Sequence, residues 1–286
     1  MAMINGTFFR GQQVVRHMQR QAAQIDRAQQ QIATTKKRIR PSDDPVGYAQ
    51  SIRISRRESD NNAWGANLHA LAADGAHAET AMISISSALQ RARELIVRGS
   101  NDTHSTSDRA AIATEIESLI PVIEDARATR NSTGDLVFSP LPLAVPVGND
   151  QQLSATMQST IIFDTVSIAA GQASISSILR DAGAALRTAD SAARRTLLAM
   201  GLDQVGAADR HVVAMRSAQG IIEQRIDERI EQLAASKLID TEEKSRIDGA
   251  DIGETVIQQQ SYQLAQQATQ ATFARSWSRT LFDLLG

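Results

Sequence analysis

Gln12-Gln-Val-Val-Arg-His-Met-Gln-Arg-Gln-Ala-Ala-Gln-Ile-Asp-Arg-Ala-Gln-Gln-Gln-Ile-Ala-Thr-Thr-Lys-Lys-Arg-Ile39 is the stretch on which the reading of this chain turns. Met18, Ile25, Ile32 and Ile39 recur at an interval of seven, with Val14 and Ala28 near the intermediate positions. That spacing is a heptad seam, the mark of a helix made to lie against another helix. Its flanks are mostly glutamine, so the helix alone would bury little apolar surface and would be marginal in water. A partner helix is required.

The far end of the chain supplies a similar texture. From about Thr255 to Leu285, Ile257, Leu264, Ala268 and Ala271 sit among seven glutamines between Gln258 and Gln270. The two ends look made for each other, and a pairing of them would set Val14, Met18, Ile25 and Ile32 against Ile257, Leu264, Ala268 and Ala271.

Between the ends the chain reads as further helices. The opening helix stops at Arg40-Pro41-Ser42-Asp43-Asp44-Pro45, because each proline removes a backbone donor and restricts its predecessor, while Ser and Asp favour turns and caps. A long helix is predicted from about Tyr48 to Ser100, with Met82, Ile85, Leu89, Ala92 and Leu95 on one face. Ser100 to Ser107 reads as a turn, followed by a helix carrying Ile112, Ile116, Leu119 and Ile123, which Pro121 either kinks or divides. Leu136 to Ile168 has the only strand character, through Leu-Val-Phe, three prolines, Ile161-Ile162-Phe163 and Val166, and two or three short strands are expected. Helices then follow over Ile175–Leu198 and Ala208–Ser236, and Ile239-Asp-Thr-Glu-Glu-Lys244 reads as a lengthened turn before the last helix.

Composition points the same way. Aromatic residues make up only 3% of 286 residues, too few large side chains for an ordinary compact globule and suited to long helices meeting along narrow seams. The predicted fold is mainly α: an elongated antiparallel helical bundle or rod, with coiled-coil helices at the termini and a small β element in the middle. Expected divisions are 1–45, 46–137, 138–168, 169–250 and 251–286.

Chemistry for catalysis is hard to find. There is no cysteine, hence no disulfide, thiolate metal site or cysteine nucleophile. His17, His69, His77, His104 and His211 lack metal-ligand spacing, and Asp248, Asp251 and Glu254 suit helix capping better than calcium. No phosphate loop or nucleophile elbow occurs, so no catalytic residue, cofactor or metal is expected. Residues 1 to 40 hold eight Lys or Arg against Asp26 alone, a basic arm that could touch an anionic membrane. Without aromatic stacking platforms it does not suit nucleic acid. No stretch has the apolar length of a signal peptide core or a membrane span.

Ile32-Ala-Thr-Thr-Lys-Lys-Arg-Ile-Arg-Pro-Ser-Asp-Asp-Pro-Val-Gly47 resembles the flagellin-family segment in which a helix ends in a basic turn and then Pro-Ser-Asp-Asp-Pro. Leu89-Gln-Arg-Ala-Arg-Glu-Leu95 with Asn101 and Asp108-Arg109, then Asp135-Leu-Val-Phe-Ser139, then Ser245-Arg-Ile-Asp-Gly-Ala-Asp251 are similar to the same family in the same order. The resemblance implies an inner coiled coil of terminal helices, a rod, and a reduced outward element. It also implies export through the flagellum's own channel without a cleaved signal. Partners implied are further copies of the chain and neighbouring flagellar subunits, the export apparatus and an export chaperone, with no nucleic acid and no membrane. The full motif Pro41, Ser42, Asp43, Asp44 and Pro45, together with the ending Ser278-Arg-Thr-Leu-Phe-Asp-Leu-Leu285, resembles the members that join hook to filament more than filament subunits. That ending adds Leu281 and Phe282 to the expected assembly surface. A short filament flagellin is the alternative inside the family, and a coiled-coil module binding a membrane or receptor is the alternative outside it.

Overall fold

A computed structural model describes the backbone of residues 2–37, 41–42 and 44–282, and side chains between Gln12 and Arg275. The chain forms two compact units, one from its two ends, up to Ser59 and from Ser236 onward, and one from Asp60–Ala235.

In the first unit, helix α1 (Ala2–Thr34) packs against the last helix, α8 (Ile252–Phe282). Thr35, at φ 57°, takes the left-handed conformation that ends a helix. An antiparallel bridge between Lys36 and Gly249 then ties the end of α1 to the start of α8, so the two helices run antiparallel. The beginning of α2 (Pro45–Gly99) and the end of α7 (Ser191–Asp248) complete this unit. Asp44 caps α2: its Oδ1 accepts from the Gly47 N–H at 3.0 Å, while Pro45 takes the first helical position, where no donor is lost. Asp43 and Ile39 lie outside the described residues.

The second unit is an antiparallel bundle with small β elements. Its core is the stripe Ala78, Met82, Ile85, Leu89, Ala92 and Ile96 of α2, packed against α3 (Thr106–Glu117), α4 (Ile120–Arg127), α6 (Ile175–Leu186) and α7. Glu79–Arg216 and Asp102–Arg194 ion pairs link α2 and the turn after it to α7 in antiparallel sense. Ser105 caps α3 in a reciprocal box, accepting from the Asp108 N–H while Asp108 Oδ2 accepts from the Ser105 N–H, each at 3.1 Å. Pro121 stands in the first turn of α4, so it divides the expected helix and does not kink it.

Strand pairs β1 (Val145–Pro146) with β2 (Gln152–Leu153), and β3 (Val166–Ile168) with β4 (Gly171–Ala173), are both antiparallel. Phe138 packs edge-on against Phe163 with centroids 5.4 Å apart, and Arg127 lies over the Phe163 ring while holding Asp164 through two hydrogen bonds of 3.0 and 2.9 Å.

Four local expectations are corrected. The opening helix ends at Thr34 and not at the Arg40–Pro45 stop, because Thr35 takes the left-handed conformation and Lys36 bridges to Gly249. Ile161-Ile162-Phe163 forms helix α5 (Ser159–Phe163) and not a strand, because one short turn buries both Ile162 and Phe163 in the core. The helix expected over Ile175–Leu198 breaks after Leu186, where Asp190 accepts from the N–H groups of Ala192 and Ala193 and starts α7. Ile239–Lys244 is helix within α7 and not a turn, since Asp240 and Glu243 pair with Arg57 and Lys244 pairs with Glu58 of α2. The mainly α bundle with a small β element stands as expected.

Replacing Phe138 with Ala should cost about 3–5 kcal/mol of unfolding free energy, measured by urea titration. Hydrogen bonds from the Ser105 hydroxyl and then its backbone N–H hold the Asp108 carboxyl below the ordinary carboxylate range. A lowered native value contributes stability above the unfolded-state value and loses it as pH falls through the native one. Asp108→Asn should therefore flatten part of the acid limb of a pH–stability profile.

Candidate assembly interface

The α1 and α8 helices meet along one heptad stripe each. On α1 the covered positions are Val14, Met18, Gln21, Ile25, Ala28 and Ile32, of which Gln21, Ile25 and Ala28 are buried and the rest half-buried. On α8 they are Thr255, Gln259, Tyr262, Gln266, Thr269 and Phe273, alternating four and three apart. One side of the seam is thus largely apolar and the other largely polar. Gln21 Oε1 is buried there without a hydrogen-bond partner among the described residues, a position that weakens the pair while favouring one register.

The α8 face expected to pair with α1 does not. Ile257 and Leu264 are 68% and 69% exposed, and Ala268 and Ala271 are exposed beside them. The phase of α8 is set at its first turn. Lys37 N–H donates to Asp248 O at 2.7 Å, Ala250 N–H donates to Thr35 O at 3.0 Å, and Asp251 Oδ1 accepts from the Glu254 N–H at 3.1 Å. This clamp turns Thr255 inward, with its hydroxyl on Asp251 O at 2.6 Å, and Ile257 outward. Gly249 allows the clamp, since a Cβ there would overlap the Ser245 carbonyl oxygen. Leu281 and Phe282 lie in the α8 backbone, their side chains outside the described residues. Pro41, Ser42, Asp44 and Pro45 are exposed at the approach to α2.

The sequence reading therefore found the covered stripe of α1 and missed that of α8. Only the alternation of Thr255, Gln259, Tyr262, Gln266, Thr269 and Phe273 marked it, without an apolar signal. Among the described residues no cluster of His, Cys, Asp or Glu could hold a metal, and no helix is long and apolar enough to cross a membrane.

The terminal helices thus pair along one seam, with an apolar stripe of α8 left exposed. Residues 7–140 match the family model of the bacterial flagellin N-terminal helical region, and residues 202–285 match that of the C-terminal helical region, well over half the chain together. The chain belongs to the flagellin family. It is 25% identical over 289 residues to flagellar hook-associated protein 3 of Escherichia coli strain K12, covering 89% of this chain and 91% of that protein. In fold it is similar to FlgL of Xanthomonas campestris, with a TM-score of 0.57 and 14% identity over 63% of this chain and 99% of that one. It is likewise similar to the flagellar junction protein FlgL of Legionella pneumophila, with a TM-score of 0.55 and 14% identity over 70% of this chain and 100% of that one. Flagellin-family membership places the chain among structural proteins of the flagellum, which work by assembling with other flagellar subunits.

Two substitutions in this unit should act in opposite directions. Gly249→Ala forces the Ser245 carbonyl aside and should speed amide exchange at Lys37 and Ala250, the two donors of the clamp. Gln21→Leu removes the buried unpaired oxygen and should stabilise the α1–α8 pair by about 1 kcal/mol, read as retained helical signal on heating.

Proposed function

We propose that this flagellin-family chain is the subunit joining the hook to the filament, and that it acts by self-assembly and not by catalysis. The observation that carries this reading is the extent of the likeness to hook-associated protein 3, which spans nearly the full length of both chains and does not stop at the terminal helices. The two prolines of Pro41-Ser-Asp-Asp-Pro45 favour the same reading over a filament flagellin.

In this mechanism the terminal segments 1–45 and 251–286 form the assembly surface. Val14, Met18, Ile25 and Ile32 hold α1 on α8, which leaves Ile257, Leu264, Ala268 and Ala271 to pack against neighbouring subunits, with Ile39, Leu281 and Phe282 extending the contact. Covering an exposed Ile or Leu is worth about 1.5–3 kcal/mol. A few such side chains per copy hold a ring or a helical array far better than they hold a free pair, because each copy is gripped on several sides at once. The segments 46–137 and 169–250 form the rod, 138–168 its small outer element, and Pro41–Pro45 the bend between layers. The chain leaves the cell by the flagellar export apparatus without a cleaved signal, carried by an export chaperone. The lack of cysteine suits passage in an unfolded state, as no disulfide has to be kept open.

Gold-labelled antibody on flagella of the source cell should fall in one band where hook meets filament. Label along the filament would make the chain a filament subunit instead. Ile25→Asp with Ile32→Asp should abolish incorporation while the Asp60–Ala235 unit keeps its helical signal, and normal flagella from that variant would remove the terminal helices from the mechanism.

A further inference from the structure

Leu141 and Leu143 are the most exposed large apolar side chains of the Asp60–Ala235 unit, at 81% and 78%. They project from a segment that has few conformations to lose, because Pro140, Pro142 and Pro146 restrict its backbone. Both ends of the segment are anchored. Ser139 Oγ accepts from the Leu141 N–H at 3.1 Å and Ser139 O accepts from the Ser159 N–H at 3.1 Å. At the other end Asn67 Nδ2 donates to Pro146 O at 2.8 Å and Arg229 Nε donates to Val147 O at 3.1 Å. Two leucines held out on a restrained loop are an anchor whose docking entropy is already largely spent in folding.

Leu141 and Leu143 edge a groove of about 510 Å³ that also includes Asp74 and Asp135. Neither acid has an ion-pair partner among the described residues. Arg130 lines the groove too, its guanidinium donating to Gly134 O, so the net charge of the rim is negative.

The same unit offers a complementary surface on α7. Gln219, Ile222 and Ile226 face inward toward the β1–β2 hairpin, with Gln219 Nε2 donating to Ala155 O at 2.8 Å. Helical periodicity then places Val213, Ser217 and Ile221 on the reverse side. Val213 and Ile221 are 50% and 54% exposed, with Ala214 and Ser217 leaving a shallow step between them. Arg210 and Arg225 border this strip, and neither has an ion-pair partner among the described residues.

We infer that the Leu141–Leu143 loop of one copy docks on the α7 strip between Val213 and Ile221 of a second copy, with Asp74 and Asp135 brought toward Arg210 and Arg225. The contact rests on the assembly reading above and names its lateral partner. Loop and strip are different surfaces of one unit, so the contact is heterologous and runs head to tail from copy to copy without closing a two-fold pair. Its area is small against the roughly 1,200–2,000 Å² of a stable complex. The loop therefore leaves the free subunit monomeric and engages when the terminal helices have already brought copies together.

Because the chain has no cysteine, introduced cysteines report unambiguously. Flagella carrying the double variant Leu143→Cys, Ile221→Cys should give disulfide-linked multimers on mild oxidation, and each single variant should give none. A double variant that reaches the flagellum in wild-type amount without cross-linking overturns the contact, and so do dimers from Leu143→Cys alone, which would mean loop against loop. As a second readout, Leu141→Asp with Leu143→Asp should keep the monomer's helical signal but lower the number of incorporated copies several-fold, and an unchanged number overturns the proposal. Cross-links spread along the whole filament would keep this contact while removing the junction assignment, so the two readings fail separately.

Discussion

The stripe Ala78, Met82, Ile85, Leu89, Ala92 and Ile96 on α2 is the surface around which the larger unit is built, because α3, α4, α6 and α7 all cover part of it. Each Ile, Leu or Met removed from water there contributes about 1.5–3 kcal/mol. Part of the middle segment depends on the same core. Phe138, Ile162, Phe163 and Val166 reach into it, and the Arg127–Asp164 pair fixes the segment that carries them. The β3–β4 hairpin rests on this core, while the β1–β2 hairpin packs on a second apolar cluster of Leu68, Leu71, Ile226 and Leu233, and neither would stand by itself, since strands of two and three residues are not stable alone.

The unit made by the chain ends is built on the opposite economy. Its seam sets an apolar stripe of α1 against Thr255, Gln259, Tyr262, Gln266, Thr269 and Phe273, and it buries a glutamine oxygen that has no partner among the described residues. Such a seam selects a register more than it stabilises a fold. The apolar residues of α8 that could have strengthened it are turned outward.

Much of this was legible in the residues. The heptad of Met18, Ile25 and Ile32, the stripe from Met82 to Leu95, the turn between Ser100 and Ser107 and the capping at Asp251 all follow from local rules of periodicity and hydrogen bonding. The resemblance to the flagellin family rested on equally local motifs. Where the reading failed, the cause lay beyond the local window. Ile161-Ile162-Phe163 has strand propensity, yet burying two large side chains in one turn favours α5. Ile239–Lys244 has the composition of a turn, yet ion pairs to Arg57 and Glu58, distant in sequence, keep α7 helical.

The choice of face on α8 shows the division most plainly. Sequence by itself determined that α1 and α8 are helices, that each carries a seven-residue repeat, and, through its motifs, that the chain resembles the flagellin family. It could not determine which of two repeats on α8 turns inward, since both alternate by three and four and only one is apolar. Tertiary structure decided that through the Lys36–Gly249 bridge and the hydrogen bonds of Lys37 and Ala250, which set the rotation of α8 at its first turn. A helix is rigid, so a phase imposed at one end is carried along its length, and the apolar stripe was left outside.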